Sequence, residues 1–193
     1  MAHAKKNIGT DSLKGNFIIA MPGLMDPNFS MTVTCICEHT SLGSVGLIIN
    51  RLFSMVSGKD LFEELQLHDV SGADDIPVYF GGPVHSNEIF ILHGPPFDWE
   101  GCFKVSSVLA MSNTMDLLEA ISLGTGPRYY MIFMGCAGWG PGQLESEIRQ
   151  NSWITCPAFD DIIFSTPISE KWKEAMKRVG IDPSFLSNTA GNA

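Results

Sequence analysis

The segment TCICEHTS places Cys35, Cys37 and His39 at alternate positions, with Glu38 between the last two. Alternate residues of an extended strand share a face, so this spacing predicts two thiols and an imidazole together. Such a set could hold a metal ion or make a Cys–His nucleophile pair. The spacing offers no fourth ligand, however, and parallel side chains on one strand do not converge on an ion. Cysteine is also among the most buried residue types. Core packing is therefore the favoured reading, and no metal or cofactor is expected. Glu38 is expected on the face opposite Cys37, at the strand's end beside His39. Asn50 ends the next apolar run, and Asp26 stands before Pro27. Asp26 reads either as a turn-forming Asx residue or as part of a polar rim, and Glu38 and Asn50 either as a solvated strand end or as the same rim. His68, His85 and His93 stand isolated and are assigned no role.

A second candidate is MGCAGWGPGQLESEIRQ, residues 134–150, with four glycines between an apolar run and a helical pattern. Strand, glycine-rich turn and helix form the frame of a phosphate site. Gly135 and Gly140 have the spacing of the first and last glycines of a P-loop, but Pro141 and Gly142 stand where Lys and Ser/Thr must be. Gly138-Trp139-Gly140 lacks the third glycine of the dinucleotide fingerprint, and Trp139 puts bulk where a pyrophosphate would approach. Glu145 and Glu147, in the first turns of the helix, would repel an anion. The glycines are read instead as close packing and positive φ, with Trp139 anchoring the turn against the core.

The elements that must position these residues follow from periodicity and punctuation. FIIA (17–20) reads as a buried strand, and 32–38 and 44–50 as a hairpin with an HTSLG loop. Residues 57–67 read as a helix capped by Ser57 with Asp60 three residues on. Residues 77–80 and 88–93 are strands flanking a GGP turn, and 102–111 holds one or two more. A helix over 114–124 has Asn113 as its cap and Gly124 as its stop. Residues 128–134 form the most apolar strand, followed by helices over 142–151 and 169–180. Without regular βαβ alternation, this order predicts an α+β domain with a mixed, largely antiparallel sheet and flanking helices. Residues 1–14 are expected to be mobile and 15–193 to form one domain.

Composition bounds the function. Against 21 Asp and Glu there are 12 Lys and Arg, a net charge of −9 over 193 residues, which argues against a large phosphate-backbone interface. The densest basic set, Lys171, Lys173, Lys177 and Arg178, is interleaved with Glu170 and Glu174. Five cysteines at irregular spacing suit reduced thiols rather than a disulfide scaffold. No run of about 18 apolar residues could span a membrane. The N-terminus lacks the apolar centre of a secretory signal. A soluble cytoplasmic protein is expected.

The blocks FIIAMPGLMDPNFSMTV (17–33), CEHTSLGSVGLIIN (37–50), FGGPV (80–84), FILH (90–93), GCAGWGPGQLESEI (135–148), SWITCPA (152–158) and TPISEKWKEAMKRVGID (166–182) resemble the AlgH/YqgE family of bacterial proteins, in order and over essentially residues 15–193. The chain departs from that pattern at Leu52, Cys136 and Asn192. The resemblance implies a single-domain α/β sandwich with no established enzymatic activity; some members carry a transcriptional-regulator label. Its motif positions include Asp26, Phe29, Glu38, His39, Asn50, Gly138, Trp139, Gln143 and Glu145. These suggest a shallow cleft in which apolar rings stand among polar groups, suited to an unidentified protein or peptide partner. A non-catalytic regulatory role is the expectation. The alternative is an enzyme using Glu38, His39 and Asp26 as acid–base groups on a small molecule. Direct binding to DNA is disfavoured by charge and by the lack of a basic recognition helix.

Overall fold

The computed structural model describes residues 12–67 and 76–182. The expected mobile segment 1–14 and the tail block 187–193 lie largely or wholly outside them, as does His68. In chain order the strands are β1 (Asn16–Ala20), β2 (Val33–Thr40), β3 (Gly43–Ile48), β4 (Val78–Phe80), β5 (Val84–His93), β6 (Phe103–Lys104), β7 (Ala110–Ser112), β8 (Tyr130–Trp139) and β9 (Trp153–Pro157). The helices are α1 (Gly58–Glu64), α2 (Met115–Ser122), α3 (Gln143–Arg149), α4 (Asp160–Phe164) and α5 (Lys171–Arg178).

The nine strands form one sheet in the order β6-β7-β5-β8-β3-β2-β1-β9, with β4 also paired to β8. All pairings are antiparallel except β4 with β8. The domain is thus α+β with a mixed sheet. Alternation along the strands sends Phe17, Cys35, Leu47, Leu92 and Phe133 to one face, where Ile162, Ile163, Trp172 and Met176 of α4 and α5 cover them. The opposite face is covered in two parts. Leu61 and Phe62 of α1 and Leu117 and Ile121 of α2 pack on Val78, Ile91 and Ile132. Leu144 of α3 packs on Ile18, Ile36 and Ala137, with Trp139 and Trp153.

Local signals account for many boundaries. Ser57 and Asp60 close the predicted capping box: the Asp60 amide donates to Ser57 Oγ (3.2 Å) and the Ser57 amide to Asp60 Oδ2 (2.8 Å). The β2–β3 hairpin turns on Ser41 and Leu42 alone, tighter than the HTSLG loop. Thr114, not Asn113, is the N-cap of α2, and its hydroxyl donates to Glu100 O (2.9 Å) rather than capping the helix. β9 and α4 carry too little periodic signal in five residues each to be predicted separately from their neighbours.

The glycine stretch is resolved differently from its prediction. GCAGW continues β8 to Trp139, and the turn is the shorter Gly140–Gly142. GGP (81–83) is not a hairpin turn either. Ile132 of β8 pairs with Val78 of β4 and with Ile91 of β5, so these two strands flank β8 on opposite sides. The chain must therefore cross over β8 at Gly81 and Gly82. A Cβ on Gly81 would stand 2.1 Å from Gly135 O, and one on Gly82 would stand 2.4 Å from Ala137 N. The crossing is a backbone-on-backbone contact that no side chain permits.

Candidate functional site

β2 carries an irregularity between Ile36 and Glu38: Ile36 pairs with Gly46, and Glu38 already with Val45. Cys37 is the extra residue, and a bulge of this kind re-aims the side chains beyond it. Cys35 and Cys37 both enter the core under α4 and α5. His39 instead pairs with Ser44, whose partner on the other side is Trp139, so His39 joins the α3 face. Glu38, opposite Val45 and in line with Gly138, lies on the same face as Cys37, not the opposite one. The predicted Cys35–Cys37–His39 set is therefore split, and its thiols do not meet the imidazole.

Three of the buried thiols are also chemically quiet. Hydrogen bonding to Cys35, then burial, raises the Cys37 thiol well above its ordinary range. Burial pushes Cys136 and Cys156 up to about 11. All five cysteines are free. Among the described residues no group of three or more His, Cys, Asp or Glu could hold a metal ion.

On the α3 face a dense cluster forms around Glu147. Its Oε2 accepts the indole N–H of Trp139 (3.0 Å) and of Trp153 (2.8 Å), and its Oε1 accepts from Gln143 Nε2 (2.9 Å). The Gly140 amide donates to Gln143 Oε1 (3.0 Å), tying the turn to the helix it precedes. Both indoles are buried. The half-buried Phe29 ring packs on them, with centroids 5.7 Å from Trp139 and 5.5 Å from Trp153. Close by, His39 Nδ1 accepts the Leu13 amide (2.9 Å), which leaves the Nε2 proton to face Glu145 Oε1 (3.0 Å). The Glu145 carboxyl is lowered from its ordinary value by its own backbone amide and then by His39.

Phe29 is delivered by the loop 21–32, which two residues after β3 fasten down. Asn50 Oδ1 accepts the Val33 amide (2.8 Å), and its Nδ2 donates to Met31 O (2.9 Å). The Arg51 guanidinium donates to Pro27 O (2.6 Å) and Ser30 O (2.9 Å). Asp26, exposed, accepts the Asn28 amide (2.8 Å), as an Asx turn does. The structure thus brings Asp26, Phe29, Asn50, Trp139, Gln143, His39 and Glu145 into one connected region. Glu38 and Gly138 fall on the other face of the sheet.

Two residues central to this region had no predicted binding role. In the sequence Glu147 is only a charge near a helix start; the two tryptophans that need an acceptor are the available signal. Arg51 offers no sequence signal, because both its partners are backbone carbonyls. Trp139, expected both to anchor the turn against the core and to stand in the cleft, is a buried brace. What this loop and the segment after β3 expose is flexible and apolar: Met25 and Met55 are 85% exposed, Met31 56% and Leu52 52%. A separate groove of about 210 Å³ lies between β5 and α2, lined by Asn87, Glu88, Ile91, Asn113, Thr114 and Leu118 among others, and includes none of the predicted residues.

Comparison with known proteins agrees with this architecture. The chain is 47% identical over 181 residues to a UPF0301 protein of Desulforapulum autotrophicum, covering 94% of this chain and 96% of that one. It is 43% identical over 187 residues to one of Methylococcus capsulatus, covering 96% and 99%. The solution structure of the AlgH protein from Pseudomonas aeruginosa superposes with a TM-score of 0.78 at 38% identity over 100% of both chains. A crystal structure from Corynebacterium diphtheriae, at 22% identity, shares the fold with a TM-score of 0.69 over 88% of this chain and 87% of that one. No helix among the described residues is long and apolar enough to cross a membrane. With the AlgH-like family model matching residues 17–184, the chain belongs to the AlgH-like family.

Proposed function

We propose that this protein is a non-catalytic, cytoplasmic interaction protein with a regulatory role, and that it takes a protein or peptide partner on the face built by residues 24–31 and 50–55. One observation carries this reading. Met25, Met31, Leu52 and Met55 are exposed on two segments that Asn50 and Arg51 hold together through four hydrogen bonds. Unbranched methionine side chains adapt to irregular apolar partners. A pre-ordered loop also lowers the entropy that a partner must overcome. Asp26 supplies a polar rim, and the Phe29–Trp139–Trp153 cluster on the helix-and-sheet sandwich behind it supplies rigidity.

The acid–base alternative draws less support. Both ring nitrogens of His39 are engaged, Asp26 holds a turn, and Glu38 faces away from both. A net charge of −9 likewise favours an effect through a protein partner over direct contact with nucleic acid.

Methyl-labelled methionine tests the reading. Titration with apolar peptides selected from a display library should shift the methyl signals of Met25, Met31 and Met55 and leave that of the buried Met176 in place. A Leu52→Asp/Met55→Asp variant should lose the binding while keeping its unfolding midpoint. Selected peptides that bind this variant as well as the native chain would overturn the assignment.

A further inference from the structure

His93, isolated in sequence, is completely buried at the end of β5. Its Nδ1 lies 2.8 Å from Gly94 O, and since a carbonyl only accepts, the ring proton is on Nδ1. Nε2 is then a bare lone pair. Two donors face it: Ser112 Oγ at 3.0 Å and Cys102 Sγ at 3.9 Å. Burial lowers the His93 imidazole from its ordinary value, which favours the unprotonated base. Phe97 packs against the imidazole, with centroids 6.0 Å apart. Nucleophile, base and a group that fixes the base's tautomer are the parts of an activated thiol site.

Cys102 is also the one cysteine of the five that is not buried. The groove between β5 and α2 is not lined by Cys102 itself, but its wall touches the two residues before it. Thr114, in the groove wall, donates to Glu100 O, and a Cβ on Gly101 would touch Thr114 Cγ2 at 2.9 Å. Ile91 of the groove floor and His93 lie two residues apart on one face of β5.

We propose that Cys102 is a nucleophilic thiol, with His93 as its general base, that undergoes exchange with a low-molecular-weight disulfide whose body lies in the adjoining groove. The Cys102 sulfur attacks one sulfur of the disulfide as Nε2 takes the thiol proton. The new S–S bond forms as the old one breaks, and the imidazolium returns the proton to the departing thiolate. The products are a mixed disulfide on Cys102 and one free small thiol, so electrons balance without another oxidant. Acyl transfer fits less well. It develops an oxyanion that needs donors, and the Cys102 amide is committed to Trp99 O (3.2 Å). A departing thiolate needs only the proton held on His93.

Oxidised glutathione serves as the probe, with adducts mapped by peptide mass and rates followed at one pH. The native chain should gain one adduct, on Cys102, on the order of 10-fold or more faster than the same cysteine in the urea-unfolded chain. His93→Gln should bring the rate down toward the unfolded value. Ser112→Ala removes the competing donor and should hold or raise it, which a purely structural role for the Ser112–His93 pair would not do. Cys102→Ser should abolish the adduct. Native Cys102 reacting no faster than the unfolded chain, or a buried cysteine reacting first, overturns the proposal even if His93→Gln fails to fold. Sulfenic acid formation with hydrogen peroxide, without any adduct from the disulfide, overturns the assigned co-reactant.

Discussion

Glu147 is the residue on which the α3 face depends. Replacing it with Ala leaves two indole N–H groups without an acceptor in a mostly dry site, at about 1–3 kcal/mol for each buried group so orphaned. Urea unfolding of Glu147→Ala should show a loss of about 2–6 kcal/mol, and Glu147→Gln, which keeps one carbonyl acceptor, a smaller one. Lys171 makes the opposite case. It is 2% exposed in a core it does not suit, with Nζ donating to Ile163 O (2.5 Å) and standing 5.7 Å over the Tyr79 ring. Burial brings its amine down from 10.5 to about 8. The unfolded chain therefore holds more protons than the folded one between those two pH values, and stability from this group rises with pH across that window. Below about 8 both states are charged and the folded state carries the full burial cost, on the order of 3 kcal/mol. Lys171→Met should thus be stabilising at pH 7, less the cost of the carbonyl left unpaired at Ile163. Its advantage over the native chain should shrink between pH 8 and 10.5. Taking the difference between the two proteins cancels the buried thiols, which act in the other direction above pH 9. A constant advantage across that range would show that the amine is not titrating there. Nothing in EKWKEAMKR marks one lysine as buried, since Lys171 reads as part of the solvated basic set until α4 closes over it.

The glycines separate into two kinds by the elements they join. Gly81 and Gly82 let the chain cross β8, where a Cβ would meet backbone rather than a side chain that can move. Gly142 only starts α3, in the left-handed region at φ 70 with nothing within 4 Å of a would-be Cβ. Gly81→Ala should cost about 3 kcal/mol, the upper end for overpacking. Gly142→Ala should cost about 1–2 kcal/mol, the strain of a left-handed residue alone. Calorimetric or urea unfolding of the two variants distinguishes them, and equal losses would remove the distinction. The capping box of α1, the apolar run of β8 and the hairpin of β2 and β3 were legible because each signal is local. The crossing at GGP was not, because glycine before proline spells a turn equally well; the parallel pairing of β4 with β8 is a long-range fact. The Cys37 bulge was equally silent, and one inserted residue reversed the faces of Glu38 and His39.

Across the whole molecule, charge and topology bear on how the protein acts. With a net charge of −9 and α5 alternating Lys and Glu, phosphate neutralisation has few contributors. One of them, Lys171, is buried and unavailable. Mobility-shift titration with duplex DNA should show no sequence-dependent binding at submicromolar protein near physiological salt, where specific sites are held at about 10 nM or tighter. Such binding would overturn an indirect regulatory route. The candidate interaction face spans two chain segments anchored to one sheet, and its apolar residues lie at exposed loop positions outside the periodic runs. Periodicity therefore finds the core and passes over this face.

Class of fold, paired strands, most helices and the mismatch of residues 134–150 with both glycine fingerprints were determined by the residues alone, since each rests on periodicity, capping or ligand identity within a short window. Family kinship was likewise carried by ordered blocks such as GCAGWGPGQLESEI. The tertiary structure alone settled which side chains meet: His39 with Glu145, Trp139 and Trp153 on Glu147, and Cys102 with His93. Those meetings depend on a bulge, a backbone crossing and the return of β9 beside β1. Each is a non-local choice among pairings, set by how the entire core closes rather than by any neighbouring residue.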